Sequence, residues 1–109
     1  MSMRHLVISF LLASITLSVH AFERPFPAIA KRGVMIVGQH PNIVIDDKNR
    51  TLSPGGWIRN QQNLIDMPIT MYGKKFVVNY TENMEGNIDR VWILSDEEIK
   101  KPLPSKTTN

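Results

Sequence analysis

The chain has 109 residues, with 13 Lys and Arg against 10 Asp and Glu, three His and no Cys, for a formal net charge of +3. Without cysteine, disulfides and thiolate metal sites are excluded, so stability must come from backbone pairing and apolar packing. The charges are interspersed, with no run long enough to mark a nucleic-acid tail, and a chain of this size holds one small domain with a thin core.

The N-terminal segment MSMRHLVISFLLASITLSVHA has the layout of a secretory signal: Arg4 and His5, then the uncharged stretch Leu6–Val19, then Val19-His20-Ala21 as a small-x-small cleavage site. The apolar stretch is shorter than the ~20 residues that span a bilayer. Residues 1–21 are therefore read as a signal helix cleaved after Ala21, leaving no transmembrane segment, and the expected location is periplasmic or secreted. No cysteine follows the apolar stretch, which excludes an N-terminal lipid anchor.

Residues 22–32, FERPFPAIAKR, contain Pro25 and Pro27, which remove N–H donors and bias their predecessors toward extended backbone. An extended arm is expected there. From Gly33 the pattern changes to short β-branched runs, GVMIVG, NIVID and RTL, separated by the polar stretches QHP and DDKN, which reads as a meander of strands. In SPGG, Pro54 and the glycines after it suit a type II turn with positive φ at a glycine, and Trp57 then begins the next strand.

Apolar Ile65, Met67, Ile69 and Met71 alternate with Asp66, Pro68 and Thr70, which predicts a strand with one buried face, interrupted or placed at an edge by Pro68. Phe76, Val78 and Tyr80 alternate in the same way, and ENMEGN connects that run to IDRVWIL, so a β-hairpin is expected with Trp92 or Ile93 in the core. Ser95 and Glu98 have capping-box spacing before a short helix at DEEIKK, which Pro102 and Pro104 end. The expected architecture is all-β: a small, partly open barrel of about five short strands, SH3-like or OB-like, over residues 33–101 with the short terminal helix included. Residues 102–109 are polar and read as a disordered tail.

The motifs exclude more chemistry than they suggest. The glycines of SPGG are followed by Trp57 and Ile58 rather than the lysine and hydroxyl residue of a phosphate-binding loop. Asp47, Asn49 and Thr51 alternate like the first half of a calcium loop, but Leu52 and Ile58 stand where glycine and the bidentate glutamate are needed. A looser ion contact by Asp46 and Asp47 competes with an ordinary β-turn. After signal removal His40 is the only histidine, in the turn-like QHPN, so a histidine-rich metal site is excluded and any nucleophile–base pair would have to use His40 with a serine or threonine. Asp96, Glu97 and Glu98 suit a helix N-terminus. The sequons at Asn49 and Asn79 are assigned no function.

What remains is the polar cluster Arg59, Asn60, Gln61, Gln62 and Asn63 beside Trp57. Trp57, Arg59, Asn60, Gln61 and Asn63 are the candidate binding residues, because an aromatic ring with long donors can stack on and hydrogen-bond to a sugar, a peptide or a nucleic-acid backbone. The same residues also fit a solvated loop beside a packed tryptophan.

The segments LSPGGWIR, GKKFVVNYTENMEGNIDRVWIL and SDEE resemble those of small exported β-domain proteins of proteobacteria without an assigned function, over residues 33–98. The final hairpin alone is similar to that of an OB-fold family of the bacterial envelope. Neither resemblance carries a binding or catalytic residue. The expected function is that of an exported, non-enzymatic accessory or binding module of the cell envelope, with no cofactor and an envelope protein or polymer as partner. The alternative is a binder of anionic polymer or nucleic acid using Arg59, Lys74, Lys75 and Arg90 with Trp57 and Tyr80 as stacking surfaces, which requires those groups to share one face.

Overall fold

In a computed structural model, residues 23–104 are described; the expected signal peptide and the end of the expected tail lie outside them. Among the described residues the strands are β1 (Lys31–Val37), β2 (Asn42–Ile45), β3 (Lys48–Arg59), β4 (Ile65–Asp66), β5 (Lys75–Glu82) and β6 (Ile88–Ile93), with a 3-10 turn at Pro68–Met71 and one helix, α1 (Asp96–Lys100). β1 pairs with β2 and with β5, β5 with β6, β6 with β3, and β3 back with β2, so five strands close into a barrel with β4 as a short outer addition to β3. All these pairings are antiparallel except β3 with β6. This circular order with one parallel junction is the OB-type arrangement, which distinguishes it from an SH3-like barrel.

Alternation sends one face of each strand inward. Met35 and Val37, Ile43 and Ile45, Leu52 and Ile58, Val78 and Tyr80, and Ile88, Val91 and Ile93 are all buried and form one cluster, joined by Met71 and edged by Phe76. The register stacks them across the strands: Met35 lies opposite Ile45 and Phe76, Val78 opposite Ile93, and Val91 opposite both Tyr80 and Ile58. The expected β5–β6 hairpin is present, its turn held by Asn83 Oδ1, which accepts from the N–H groups of Glu85 and Asn87 at 3.0 Å each.

The capping box forms as the spacing predicts: Ser95 Oγ accepts from Glu98 N at 3.3 Å and Glu98 Oε1 accepts from Ser95 N at 3.0 Å. Asp46 and Asp47 form a two-residue hairpin turn with φ of 50° and 67°, the type I′ geometry that tolerates Asp at both central positions. Asp46 Oδ1 accepts from Val34 N at 2.9 Å, and the carboxylate lies where a Cβ on Gly33 would approach it within 2.9 Å.

Two local expectations are corrected. SPGG is not a type II turn: Ser53–Gly56 lie within the single strand β3, and neither glycine has positive φ. Instead the β3–β6 register shifts between Leu52 and Trp57, and Gly56 passes so close to β6 that a Cβ there would come within 2.9 Å of the Asp89 carbonyl oxygen. The glycine serves close approach at a bulge rather than a turn. Second, Ile65–Met71 is not a one-faced strand, for β4 ends at Asp66 and only Met71 of the alternating set is buried. Pro68 cannot donate to a ladder, and it opens the 3-10 turn. The expected arm packs against the barrel. Its Arg24 is buried, and β1 takes over at Lys31. The start of the expected tail is also packed, with Leu103 and Pro104 half-buried.

Candidate binding face

β3 and β6 run parallel with Trp57 opposite Arg90 and Arg59 opposite Trp92. Ile58 and Val91 point into the barrel between them, so these four side chains share the outer face. The rings meet edge-on: Trp57 to Trp92 at 5.3 Å between centroids and 86°, and Trp92 to Phe26 of the arm at 5.5 Å and 76°. The Arg59 guanidinium lies 4.6 Å from the Trp57 ring centroid, and that of Arg90 lies 5.6 Å from the Trp92 ring. Both are cation–π distances. Trp92 is buried under this cover, while Trp57, Arg59 and Arg90 are half-buried.

Beside this stripe, the arm is locked down by Arg24. Its Nε and Nη2 donate to the two Glu98 carboxylate oxygens at 3.0 and 2.9 Å, Nη2 also to Ile93 O at 2.8 Å, and Nη1 to Asn60 O at 2.7 Å and Asn63 Oδ1 at 3.3 Å. One guanidinium therefore joins the arm, the end of β3, the end of β6 and α1. Burial by itself would raise the Glu98 pKa, but the Arg24 hydrogen bonds and the Ser95 N–H outweigh it and hold the carboxylate below its usual range. Arg32 makes a second clasp, donating to Asn79 Oδ1 at 3.0 Å and to Lys101 O at 2.6 Å. Between the clasps lies a cleft of about 360 Å³ lined by Arg24, Phe26, Arg32, Glu97 and Pro104 among others.

The five residues singled out in the sequence divide into two groups. Trp57 and Arg59 stand on the outer face. Asn60, Gln61 and Asn63 turn toward the protein: Asn60 Oδ1 accepts from the N–H groups of Gln62 and Leu64 at 2.9 and 3.0 Å, Asn60 Nδ2 donates to Asp66 at 3.2 Å, and Gln61 Nε2 donates to Leu94 O at 3.0 Å. Asn63 adopts φ of 68° and receives Arg24 through its side chain and Arg59 through its carbonyl, the latter at 2.7 Å. Their polar atoms hold the turn and the arm.

Of the groups required by the anionic-polymer alternative, Trp57, Arg59 and Arg90 share a face. Tyr80 does not; it is buried inside the barrel because it falls on the inward phase of β5. Lys74 and Lys75 lie exposed at the opening of β5. Arg24 and Phe26 escaped sequence reasoning as parts of this face, although an arginine between aromatic and proline residues in FERPFP was a visible oddity. Among the described residues no group of three or more His, Asp or Glu is placed to hold a metal, and no helix is long and apolar enough to cross a membrane.

At the other end of the barrel, Glu82 accepts from Lys31 at 2.9 Å and from Arg50. Hydrogen bonds from Arg50 and Lys31 lower its pKa. This is an ordinary surface network. No family model, no curated protein and no solved structure matches the chain.

Proposed function

We propose that the protein is an exported, non-enzymatic binding module of the cell envelope that holds a partner against the outer face of β3 and β6. One observation carries this reading: Trp57, Arg59 and Arg90 stand side by side, half-exposed, on one outer face. The Arg90 guanidinium lies over the Trp92 ring, and Arg59 keeps donors beyond its bond to Asn63. Two guanidinium groups backed by indole rings present planar donors for carboxylate or phosphate oxygens and a stacking surface for a flat ring. The rings are fixed in advance by their edge contacts and by the Arg24 clasp, so little side-chain freedom remains to be lost on binding.

The test is capture from the protein's own envelope fraction by tagged, exported protein, with wild type compared against the Trp57→Ala/Arg59→Ala double variant. Loss of the captured partner with an unchanged circular dichroism spectrum supports the reading. Retained capture removes this face as the site. A second reading, binding of an anionic polymer, draws on the same two arginines but lacks Tyr80 as a stacking surface. Titration with single-stranded nucleic acid or polyphosphate, followed by tryptophan fluorescence at two salt concentrations, separates the two: a polymer contact weakens steeply with salt.

A further inference from the structure

The segment that crosses the barrel's end between β3 and β5 exposes the residues a folded domain normally hides. Nine large hydrophobic residues are exposed among those described, and five of them, Leu64, Ile65, Met67, Ile69 and Tyr72, fall within this one segment at 56–79% exposure. Their concentration separates them from the scattered apolar residues of any surface. The reason for their exposure is local. With β4 two residues long and the 3-10 turn beginning at Pro68, only Met71 reaches the core, while Ile69 and Tyr72 stand over a cleft of about 430 Å³ shared with Gly38–His40.

The charges around this cap are one-sided. Its single acid, Asp66, accepts a hydrogen bond from Asn60 Nδ2 at 3.2 Å, and Lys74 and Lys75 follow directly, both exposed. We propose that this cap is a membrane-docking surface, which inserts Leu64, Ile65, Met67 and Ile69 shallowly into a lipid bilayer carrying anionic headgroups while Lys74 and Lys75 meet the headgroup phosphates. Tyr72, apolar in its ring and polar at its tip, sits at the level where such side chains favour the interface. Stable attachment takes two signals, apolar insertion and basic attraction, and the cap supplies both next to each other. A second copy of the chain fits less well, since a two-fold contact through the cap would bring the lysine pairs of both copies together. The proposal does not depend on the β3–β6 face.

The experiment is co-sedimentation of protein recovered from the exported fraction with vesicles of phosphatidylcholine alone and of equal parts phosphatidylcholine and phosphatidylglycerol. Wild type is expected to pellet with the mixed vesicles and to remain largely in solution with the neutral ones. Ile69→Asp and Met67→Asp should lose pelleting, and Lys74→Glu/Lys75→Glu should lose the preference for anionic vesicles. Trp57→Ala/Arg59→Ala should pellet as wild type. All these positions are wholly or partly exposed, and unchanged circular dichroism spectra confirm intact folds. Absence of pelleting by wild type, or pelleting of Ile69→Asp equal to wild type, overturns the proposal. So does a dimer in sedimentation equilibrium that Ile69→Asp dissociates while wild type ignores vesicles.

Discussion

Arg24→Ala tests whether one buried guanidinium fastens the arm to the barrel. The side chain gives five hydrogen bonds, two of them to Glu98, and its side-chain exposure is 2%. Removing one partner of a buried pair costs about 3–5 kcal/mol when the other charge stays dry. Here the arm can lift away and let water reach Glu98, so the loss is expected near the lower end, about 3 kcal/mol. That is a large part of a stability of roughly 5–15 kcal/mol, and for a domain of this size it corresponds to a melting temperature lower by about 12 °C or more. Denaturant titration followed by tryptophan fluorescence reads it directly, because Trp92 touches Phe26 of the arm.

Glu98→Gln refines the test, because glutamine can still accept the Ser95 N–H and keep the capping box while removing the charge. Arg24 then retains Ile93 O, Asn60 O and Asn63 Oδ1, so the cost should be smaller, about 2 kcal/mol. The Glu98 pKa is lower in the folded state than in the unfolded chain. Its stabilisation is therefore complete above the unfolded value of about 4.3 and drains away as pH falls through the folded value. The gap between wild type and Glu98→Gln should be full at neutral pH and narrow on acidification. A denaturation midpoint for Arg24→Ala equal to wild type, or a Glu98→Gln gap that does not change with pH, would refute the account of the clasp.

Two further substitutions test the barrel. Gly56→Ala should destabilise the fold by about 1–3 kcal/mol through overpacking, because the new methyl meets the Asp89 and Ile88 carbonyl oxygens at 2.9 and 3.1 Å. Gly55→Ala meets nothing within 4 Å and should be neutral or mildly stabilising, so equal effects at the two glycines in denaturant titration would count against the bulge. Trp92→Ala should cost about 3–5 kcal/mol, since it removes the ring between Trp57 and Phe26; an unchanged denaturation midpoint would contradict it.

The difference between what was legible and what was not lies in the range of the interactions. Phe76, Val78 and Tyr80 alternate, and so do Ile65, Met67, Ile69 and Met71, yet only the first set enters the core as a strand. Period two reports a buried face only if the backbone can continue a ladder, and in the second set Asn63 at φ 68° and Pro68 close off β4 after two residues. The hairpin turn at Asn83 and the capping box at Ser95 were readable because donor and acceptor lie within four residues of each other. The barrel's closure rests on pairings between distant segments, such as Lys31 with Tyr80, which no local pattern encodes.

The same distinction explains the candidate site. Trp57 and Arg59 stand out as a local cluster and do share the outer face, but whether their polar neighbours are free to bind depended on a residue 36 positions or more away: Arg24 reaches across that separation to Asn60 and Asn63 and fixes the turn. A polar loop beside a tryptophan is thus half contact surface and half structural clasp. The two halves are separable by experiment because they use different atoms. Replacing Asn63 by glycine, which adopts the φ of 68° without strain, removes the carboxamide that Arg24 holds but leaves the carbonyl to which Arg59 donates at 2.7 Å, so it should loosen the arm without displacing Arg59 from the Trp57 ring. Removing the Arg59 guanidinium does the reverse, uncovering Trp57 while every Arg24 hydrogen bond remains in place.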